Sequence, residues 1–190
     1  MQKDQMMAEI FNSGSSETLI GTEASDRITY DFDFDVPAEE FGEQDRDVIQ
    51  AGDGNDTIHI TAGRDVINGE GGLFDRTQFP TFIYVTGTKD GTEIRDSFSA
   101  FGAAIDLAAS TYSVTWRQST GFAPPTFTSE GTIRNVEIVE DSYGDDTLLG
   151  SDRDEGTNAT FRFGDQFTVG SGLDTVDGRG GRDVLSSGTY

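Results

Sequence analysis

Regularly spaced aspartates are the residues of this sequence best suited to chemistry. Asp47, Asp56 and Asp65 lie nine residues apart, and each begins a triplet that ends in isoleucine. Six turn residues and three strand residues form half of a coil, so residues two repeats apart should stack on one side, about 4.8 Å apart. Carboxylates stacked this closely repel each other unless a cation lies between them. The spacing therefore predicts a row of cation sites.

Calcium suits these sites better than magnesium does. It accepts about six to eight oxygen ligands, including backbone carbonyls, at roughly 2.3–2.6 Å, whereas magnesium requires a smaller and stricter octahedron. Residues 52–59, Gly-Asp-Gly-Asn-Asp-Thr-Ile-His, approximate the calcium-binding repeat G-G-x-G-x-D-x-U-x, in which U is a large apolar residue. The glycines allow positive φ and expose carbonyl oxygens, and the apolar side chain points inward.

The same period returns near the C terminus, where Asp165, Asp174 and Asp183 are nine residues apart. We expect folding to be coupled to calcium, because one inward side chain per short strand buries little apolar area. Stacking predicts the pairs Asp47 with Asp65, Asp56 with Asp75, Asp146 with Asp165, Glu155 with Asp174, and Asp165 with Asp183, hence up to about five calcium ions. The predicted metal ligands are the carboxylate residues Asp47, Asp56, Asp65, Asp75, Asp146, Glu155, Asp165, Asp174 and Asp183, and the turn residues Gly52, Asp53, Gly54, Asn55, Gly63, Gly172, Gly180 and Gly181.

The repeats divide the chain into four parts: an N-terminal segment (1–16), a first repeat array (17–76), a β-rich intervening region (77–143) and a second repeat array (144–190). In the intervening region a Gly-Thr-Lys-Asp-Gly turn predicts a hairpin. The expected elements are hairpin strands at 82–85 and 92–95, strands at 104–107, 112–116 and 133–139, a loop at 121–125 and one short helix at 4–11. The predicted fold class is all-β: a calcium-binding parallel β-roll, or β-solenoid, in two arrays with a β-rich insertion between them.

These repeats resemble the RTX, or haemolysin-type, calcium-binding repeats of secreted bacterial toxins, proteases, lipases and surface-layer proteins. Residues 104–108, Ala-Ile-Asp-Leu-Ala, are similar to that family's V-x-L segment between arrays. Residues 133–137 and 144–150 are similar to the junction that precedes a new array. The resemblance implies an extracellular, secreted or surface-associated protein that leaves the cell by type I secretion.

Charge and composition exclude several other functions. The formal net charge is −22, which disfavours nucleic acids and anionic membranes as partners. No hydrophobic run is long enough to span a membrane, so we predict no membrane insertion. The absence of cysteine excludes disulfides and cysteine-based zinc sites. Residues 1–12 also lack the apolar core of a secretory signal.

Three functions remain open at this stage. We favour a calcium-binding structural or surface-assembly protein, partnered by its own copies or by other assembly proteins in a surface layer, filament or virus particle, because a β-roll exposes strand edges at its ends. The second is a non-catalytic glycan- or protein-binding module of a larger secreted system. The third is a β-helical enzyme. We predict no enzyme and no catalytic residue, because H-E-x-x-H and G-x-S-x-G are both absent and His59, the only histidine, is expected at the surface.

Overall fold

The fold combines short strands, which form successive rungs of a coil, with the longer strands of the intervening region. The computed structural model describes residues 7–12, 16–30, 36–37, 46–72, 74–79, 83–89, 92–118, 126–152 and 164–188. The strands are β1 (Glu9–Asn12), β2 (Thr18–Thr22), β3 (Arg27–Tyr30), β4 (Val36–Pro37), β5 (Val48–Gly52), β6 (Thr57–His59), β7 (Val66–Asn68), β8 (Arg76–Gln78), β9 (Ile83–Lys89), β10 (Thr92–Asp106), β11 (Thr111–Gln118), β12 (Thr126–Arg134), β13 (Ile138–Glu140), β14 (Thr147–Leu149), β15 (Gln166–Val169), β16 (Thr175–Asp177) and β17 (Val184–Ser187). Among the described residues there is no helix long and apolar enough to cross a membrane.

The chain winds alternately through two sheets. The first sheet has the order β1-β3-β6-β8-β13-β15-β17, and the second contains β2-β5-β7-β12-β11-β10-β14-β16. Strands of the repeats pair in parallel with the strand one coil further along, as in the register of Ile49 with Ile67 and of Ile28 with Ile58. The predicted all-β parallel β-roll is confirmed.

The helix expected at 4–11 is wrong, because residues 9–12 form β1. This strand pairs in parallel with β3, Glu9 opposite Arg27, and Ile10 packs against the core. The coil period therefore reaches back to the first described residues, and pairing with the next rung overrides the local helical pattern.

The intervening region inserts β10 and β11 into the second sheet, whereas its strand β13 continues the first sheet. In the first sheet β8 pairs directly with β13, whereas in the second sheet β11 and β10 lie between β12 and β14. Both added strands join by antiparallel pairing, β12 to β11 and β11 to β10, and β10 then pairs in parallel with β14. The expected hairpin is present as β9 and β10, with Lys89 opposite Thr92.

Inward-facing apolar side chains from both sheets form one core. The middle residues of most repeat strands are buried, although Val176 of β16 is only partly buried and Leu185 of β17 is exposed, and the added strand β11 contributes Tyr112, Val114 and Trp116. The indole N–H of Trp116 donates a hydrogen bond of 2.8 Å to Ser129 Oγ, so the largest buried side chain has a polar partner.

The strand expected at 133–139 is two strands. β12 ends at Arg134 and β13 begins at Ile138, in different sheets. Asn135 has φ of 51° at the corner between them. An asparagine accepts this left-handed conformation more readily than most residues, which allows the chain to turn from one sheet to the other. The loop expected at 121–125 lies outside the described residues.

Candidate calcium sites

Acidic residues immediately before the repeat strands form two columns. Because turns alternate between the two edges of the roll, each column contains the residues that precede the strands of one sheet. The first column, before strands of the first sheet, is Asp26, Asp56, Asp75, Glu137, Asp165 and Asp183. The second column, before strands of the second sheet, is Glu17, Asp47, Asp65, Asp146 and Asp174.

Each column is held together by hydrogen bonds between rungs. The backbone N–H of Asp56 donates to Asp75 Oδ1 at 2.8 Å, and that of Asp47 donates to Asp65 Oδ1 at 3.0 Å. In the second array the N–H of Asp165 donates to Asp183 Oδ1 at 3.0 Å. The predicted stacking of these three pairs is confirmed, and each carboxylate lies against the backbone of the preceding rung.

The predicted pair of Asp146 with Asp165 is wrong. Asp146 stacks on Asp174, with its N–H 3.1 Å from Asp174 Oδ1, because β14 pairs with β16. β14 lies in the second sheet, and β15, the next strand that the structure describes, lies in the first. Glu155 lies outside the described residues, so its pairing with Asp174 stays a prediction.

Glu137 was missed in the sequence, and Asp26, which follows the nine-residue spacing but was not among the predicted ligands, also joins the first column. The N–H of Asp75 donates to Glu137 Oε2 at 2.9 Å, which places a glutamate in the first column 62 residues further along the chain. The N–H of Asp26 donates to Asp56 Oδ1 at 2.6 Å. The triplet Glu137-Ile138-Val139 has the acid-x-apolar pattern of a repeat strand, a signal that could have identified Glu137.

Tyr112 interrupts the second column at the added strands. Its hydroxyl accepts the N–H of Asp65 at 3.2 Å and donates to Asp65 Oδ2 at 3.0 Å. Gly131 occupies the position at which the repeat strands of the second sheet are preceded by an acid, and a Cβ there would lie 2.6 Å from the tyrosine ring Cζ. Burial holds the pKa of Tyr112 well above its ordinary value, so this rung is neutral. The column resumes where Ala103 donates its N–H to Asp146 Oδ1.

Burial disfavours the ionised form of the column carboxylates when no cation is bound. It raises the pKa of Asp56 from 3.8 to about 6, and it raises that of Asp75 to about 7, with a further contribution from the charge of Glu137. Burial also raises the pKa of Asp146. Asp56 is only 1% exposed, and its Oδ2 has no hydrogen-bond partner in the described part of the chain. A buried carboxylate oxygen without a donor is the kind of group that a calcium ion satisfies.

The glycine turns bring backbone carbonyls close to the columns. Gly54 has φ of 134°, and an added Cβ would lie 2.5 Å from the carbonyl oxygen of Ala24 in the neighbouring turn. The side chains of Asp53 and Asn55 are exposed at the surface of the same turn and do not join the column. Four of the other predicted turn glycines also have positive φ: Gly52, Gly63, Gly172 and Gly181. The remaining one, Gly180, donates its backbone N–H to the Asp152 carboxylate.

A three-carboxylate cluster lies in the second array. Oxygens of Asp141, Asp146 and Asp174 all lie within 4.8 Å of one another. Asp141 was not predicted as a ligand, because it precedes the turn at a position where the repeat consensus has glycine. Its carboxylate also accepts the N–H of Gly170 in the next rung. The donor set of buried carboxylates and turn carbonyls fits a hard, oxygen-preferring cation in both arrays.

The expectation of a surface position for His59 is wrong. Its ring is buried between the Thr29 hydroxyl and the Gln78 side-chain amide, which belong to the neighbouring strands β3 and β8. Burial, aided by the charge of Arg27, lowers the pKa of His59 to about 4. The stacking of three polar side chains across the first sheet, which local sequence does not reveal, explains its burial.

Comparison with protein families matches residues 41–72 and 162–189 to the RTX calcium-binding nonapeptide repeat, with 4 copies. Comparisons with curated proteins and with solved structures found no significant match. The matched residues include members of both columns in both arrays. The chain therefore carries RTX calcium-binding repeats, and its parallel β-roll is the fold of that family.

Proposed function

We propose that this chain is a calcium-dependent structural protein whose two arrays fold as they bind calcium. The orphaned Oδ2 of Asp56, in a column of buried carboxylates with raised pKa values, carries the proposal. Without a cation, folding must place these groups side by side and either leave them ionised or protonate them. Both alternatives cost free energy that calcium removes.

The column residues and the glycine turns would hold the ions. Bound calcium would supply positive charge between successive rungs, and the chain would supply carboxylate and carbonyl oxygens from adjacent turns. The inter-rung hydrogen bonds from backbone N–H groups fix each carboxylate in place, so that few side-chain rotamers are lost on binding.

Circular dichroism tests the coupling. The chain stripped with chelator should lose most of its β signal, and it should recover the signal in calcium with a midpoint of about 10⁻⁴–10⁻³ M, the range of extracellular modules. Magnesium at equal ionic strength serves as the control and should restore little. A β spectrum that survives complete chelation would contradict the proposal.

We propose an extracellular setting and a role in assembly. RTX repeats are typical of secreted proteins, which supports the location. Assembly is supported by β17, whose four residues are all exposed and whose Leu185 is 58% exposed at a sheet edge that no other described strand covers. Sedimentation in calcium should show association that increases with protein concentration. A monomer at every concentration, with protected amides around Leu185, would refute the assembly role.

We assign no reaction to the chain. RTX repeats are calcium-binding modules, and the perturbed carboxylates described above all belong to the columns or contact them. Their regular stacking across rungs favours structural calcium over acid–base catalysis, which would require carboxylates outside the repeat register.

A further inference from the structure

A bulge in β10 turns an aromatic ring out of the second sheet. The pairing of β10 with β11 shifts between Ala100 and Ala103, and Gly102 in this bulge has φ of 124°. Ala100 and Ala103 are both buried, so the additional residue leaves Phe101 facing outward and 43% exposed. Bulges of this kind recur beside binding sites, where they re-aim a side chain.

Arg117 fixes the exposed ring. Its guanidinium carbon lies 4.9 Å from the centroid of Phe101, a cation–π contact between β11 and β10. A ring already held in one orientation loses less side-chain entropy when a ligand stacks against it. Phe101 is therefore a preorganised aromatic platform at the surface.

A trough adjoins this platform on the outer face of β14, β10 and β11. Thr147, Ala104 and Ser113 lie side by side across the three strands. A cavity of about 310 Å³ extends from this row to Phe101 and Asp145, and a second of about 320 Å³ extends from the same row to Asp106 and Glu130. We call these two cavities the β10 trough. Each has the size of a small-molecule site at the lower end of the usual range.

The groups in the trough can recognise a sugar. The hydroxyls of Thr111, Ser113, Thr115 and Thr147 line the trough, and each can both donate and accept a hydrogen bond. The Phe101 ring offers an apolar face to the C–H groups of a pyranose. Hydroxyls and carboxylates beside an aromatic ring match a ligand with alternating apolar faces and hydroxyl rims.

Local charge decides which kind of sugar fits. Arg179 is engaged in a two-point ion pair with Asp106, at 2.6 and 2.7 Å, and Arg117 lies on Phe101. Glu130 and Asp145 border the trough on a chain of net charge −22. An anionic glycan would therefore be repelled by these carboxylates and by the net charge of the chain.

We propose that the β10 trough binds a segment of a neutral oligosaccharide. This role is separate from the calcium columns and does not rest on assembly. Calorimetric titration of the calcium-loaded chain with neutral hexasaccharides of glucose, mannose, galactose and N-acetylglucosamine should detect binding of at least one. A hexamer of uronic acid should bind more weakly.

Two variants and one control locate the site. Phe101→Ala removes the platform and should weaken binding about tenfold, and Ala104→Leu fills the trough and should weaken it at least as much. Ile20→Ala, at a residue 64% exposed on β2 of the same sheet, should bind as the unaltered chain does. Dichroism in calcium checks that each variant folds.

Three results would overturn the proposal: no binding of any neutral hexasaccharide, tighter binding of the uronic acid hexamer, or unchanged affinity in the two trough variants. None of them bears on calcium-coupled folding, which dichroism measures on the same samples. Conversely, a chain that folds without calcium yet binds sugar through Phe101 would uphold the trough and refute the calcium proposal.

Discussion

Replacing Tyr112 with phenylalanine removes one oxygen at the point where the second column is interrupted. That hydroxyl accepts the N–H of Asp65 at 3.2 Å and donates to Asp65 Oδ2 at 3.0 Å. Tyr112 is buried, and the ring of the variant would occupy the same space. The substitution therefore isolates two hydrogen bonds and leaves the packing unchanged.

The expected loss follows from what each bond does. Removing a buried acceptor from an N–H costs about 1–3 kcal/mol, and a hydrogen bond to a charged carboxylate contributes about 1.5–3 kcal/mol. The carboxylate of Asp65 keeps its bond to the N–H of Asp47, which limits the loss. We expect Tyr112→Phe to lower the free energy of unfolding of the calcium-loaded chain by about 2–4 kcal/mol, or roughly 5–15 °C in Tm for a chain of this size.

Calcium stoichiometry distinguishes this explanation from the loss of a metal site. Because a neutral hydroxyl occupies the rung, calorimetric titration should find the same number of bound ions in Tyr112→Phe as in the unaltered chain. Tyr143→Phe, at a tyrosine 44% exposed, is the matched control and should change stability by less than about 0.5 kcal/mol. A loss of one or more ions in Tyr112→Phe, or a stability change no larger than that of the control, would refute the reasoning.

Three further predictions concern the columns. Because the pKa values of Asp56 and Asp75 are raised to about 6 and 7, the protonated carboxyls stabilise the calcium-free fold below about pH 4, and this stability is lost as the pH rises through 6–7. Calcium binding near pH 6.5 should therefore release protons, which calorimetry in buffers of different ionisation enthalpy measures. Equal heats in all buffers would contradict this prediction. Glu137→Gln should raise the calcium concentration at the midpoint of folding several-fold, whereas Glu130→Gln, at an exposed position, should leave it unchanged. Equal midpoints in the two variants would mean that Glu137 does not contribute to calcium binding. Gly131→Ala should lower Tm by several degrees in thermal melts, because its Cβ would lie 2.6 Å from a buried ring carbon, and an unchanged Tm would mean that the neighbouring strands yield easily.

The nine-residue spacing of the aspartates predicted the fold correctly where successive coils contain nearly the same number of residues. The Asp-x-Ile triplets predicted the stacking of Asp47 on Asp65 and of Asp56 on Asp75, because both coils have nearly constant length. The prediction failed for Asp146, whose neighbour in the column is Asp174, 28 residues further along the chain. Sequence spacing alone cannot show how many residues one coil contains when acidic residues recur at similar intervals.

Other features depend on contacts between distant segments. Glu137 joins the first column through Asp75, 62 residues away, and Tyr112 meets Asp65 across 47 residues. His59 is buried because Thr29 and Gln78 happen to be its neighbours in the first sheet. Each residue has an ordinary local context, so only the pairing of strands reveals its role.

The added strands affect the two columns differently, and this difference links the arrays. In the first sheet β8 pairs directly with β13, so the bond from Asp75 to Glu137 carries the first column across the junction. In the second sheet β10 and β11 separate the arrays, and the neutral Tyr112 ends the column of the first array. Carboxylates of the two arrays therefore lie next to each other, and repel each other without a cation, in the first column only. We therefore predict that calcium binding in one array stabilises the other through the junction between Asp75 and Glu137, and that the second edge of the roll would hold two separate rows of sites.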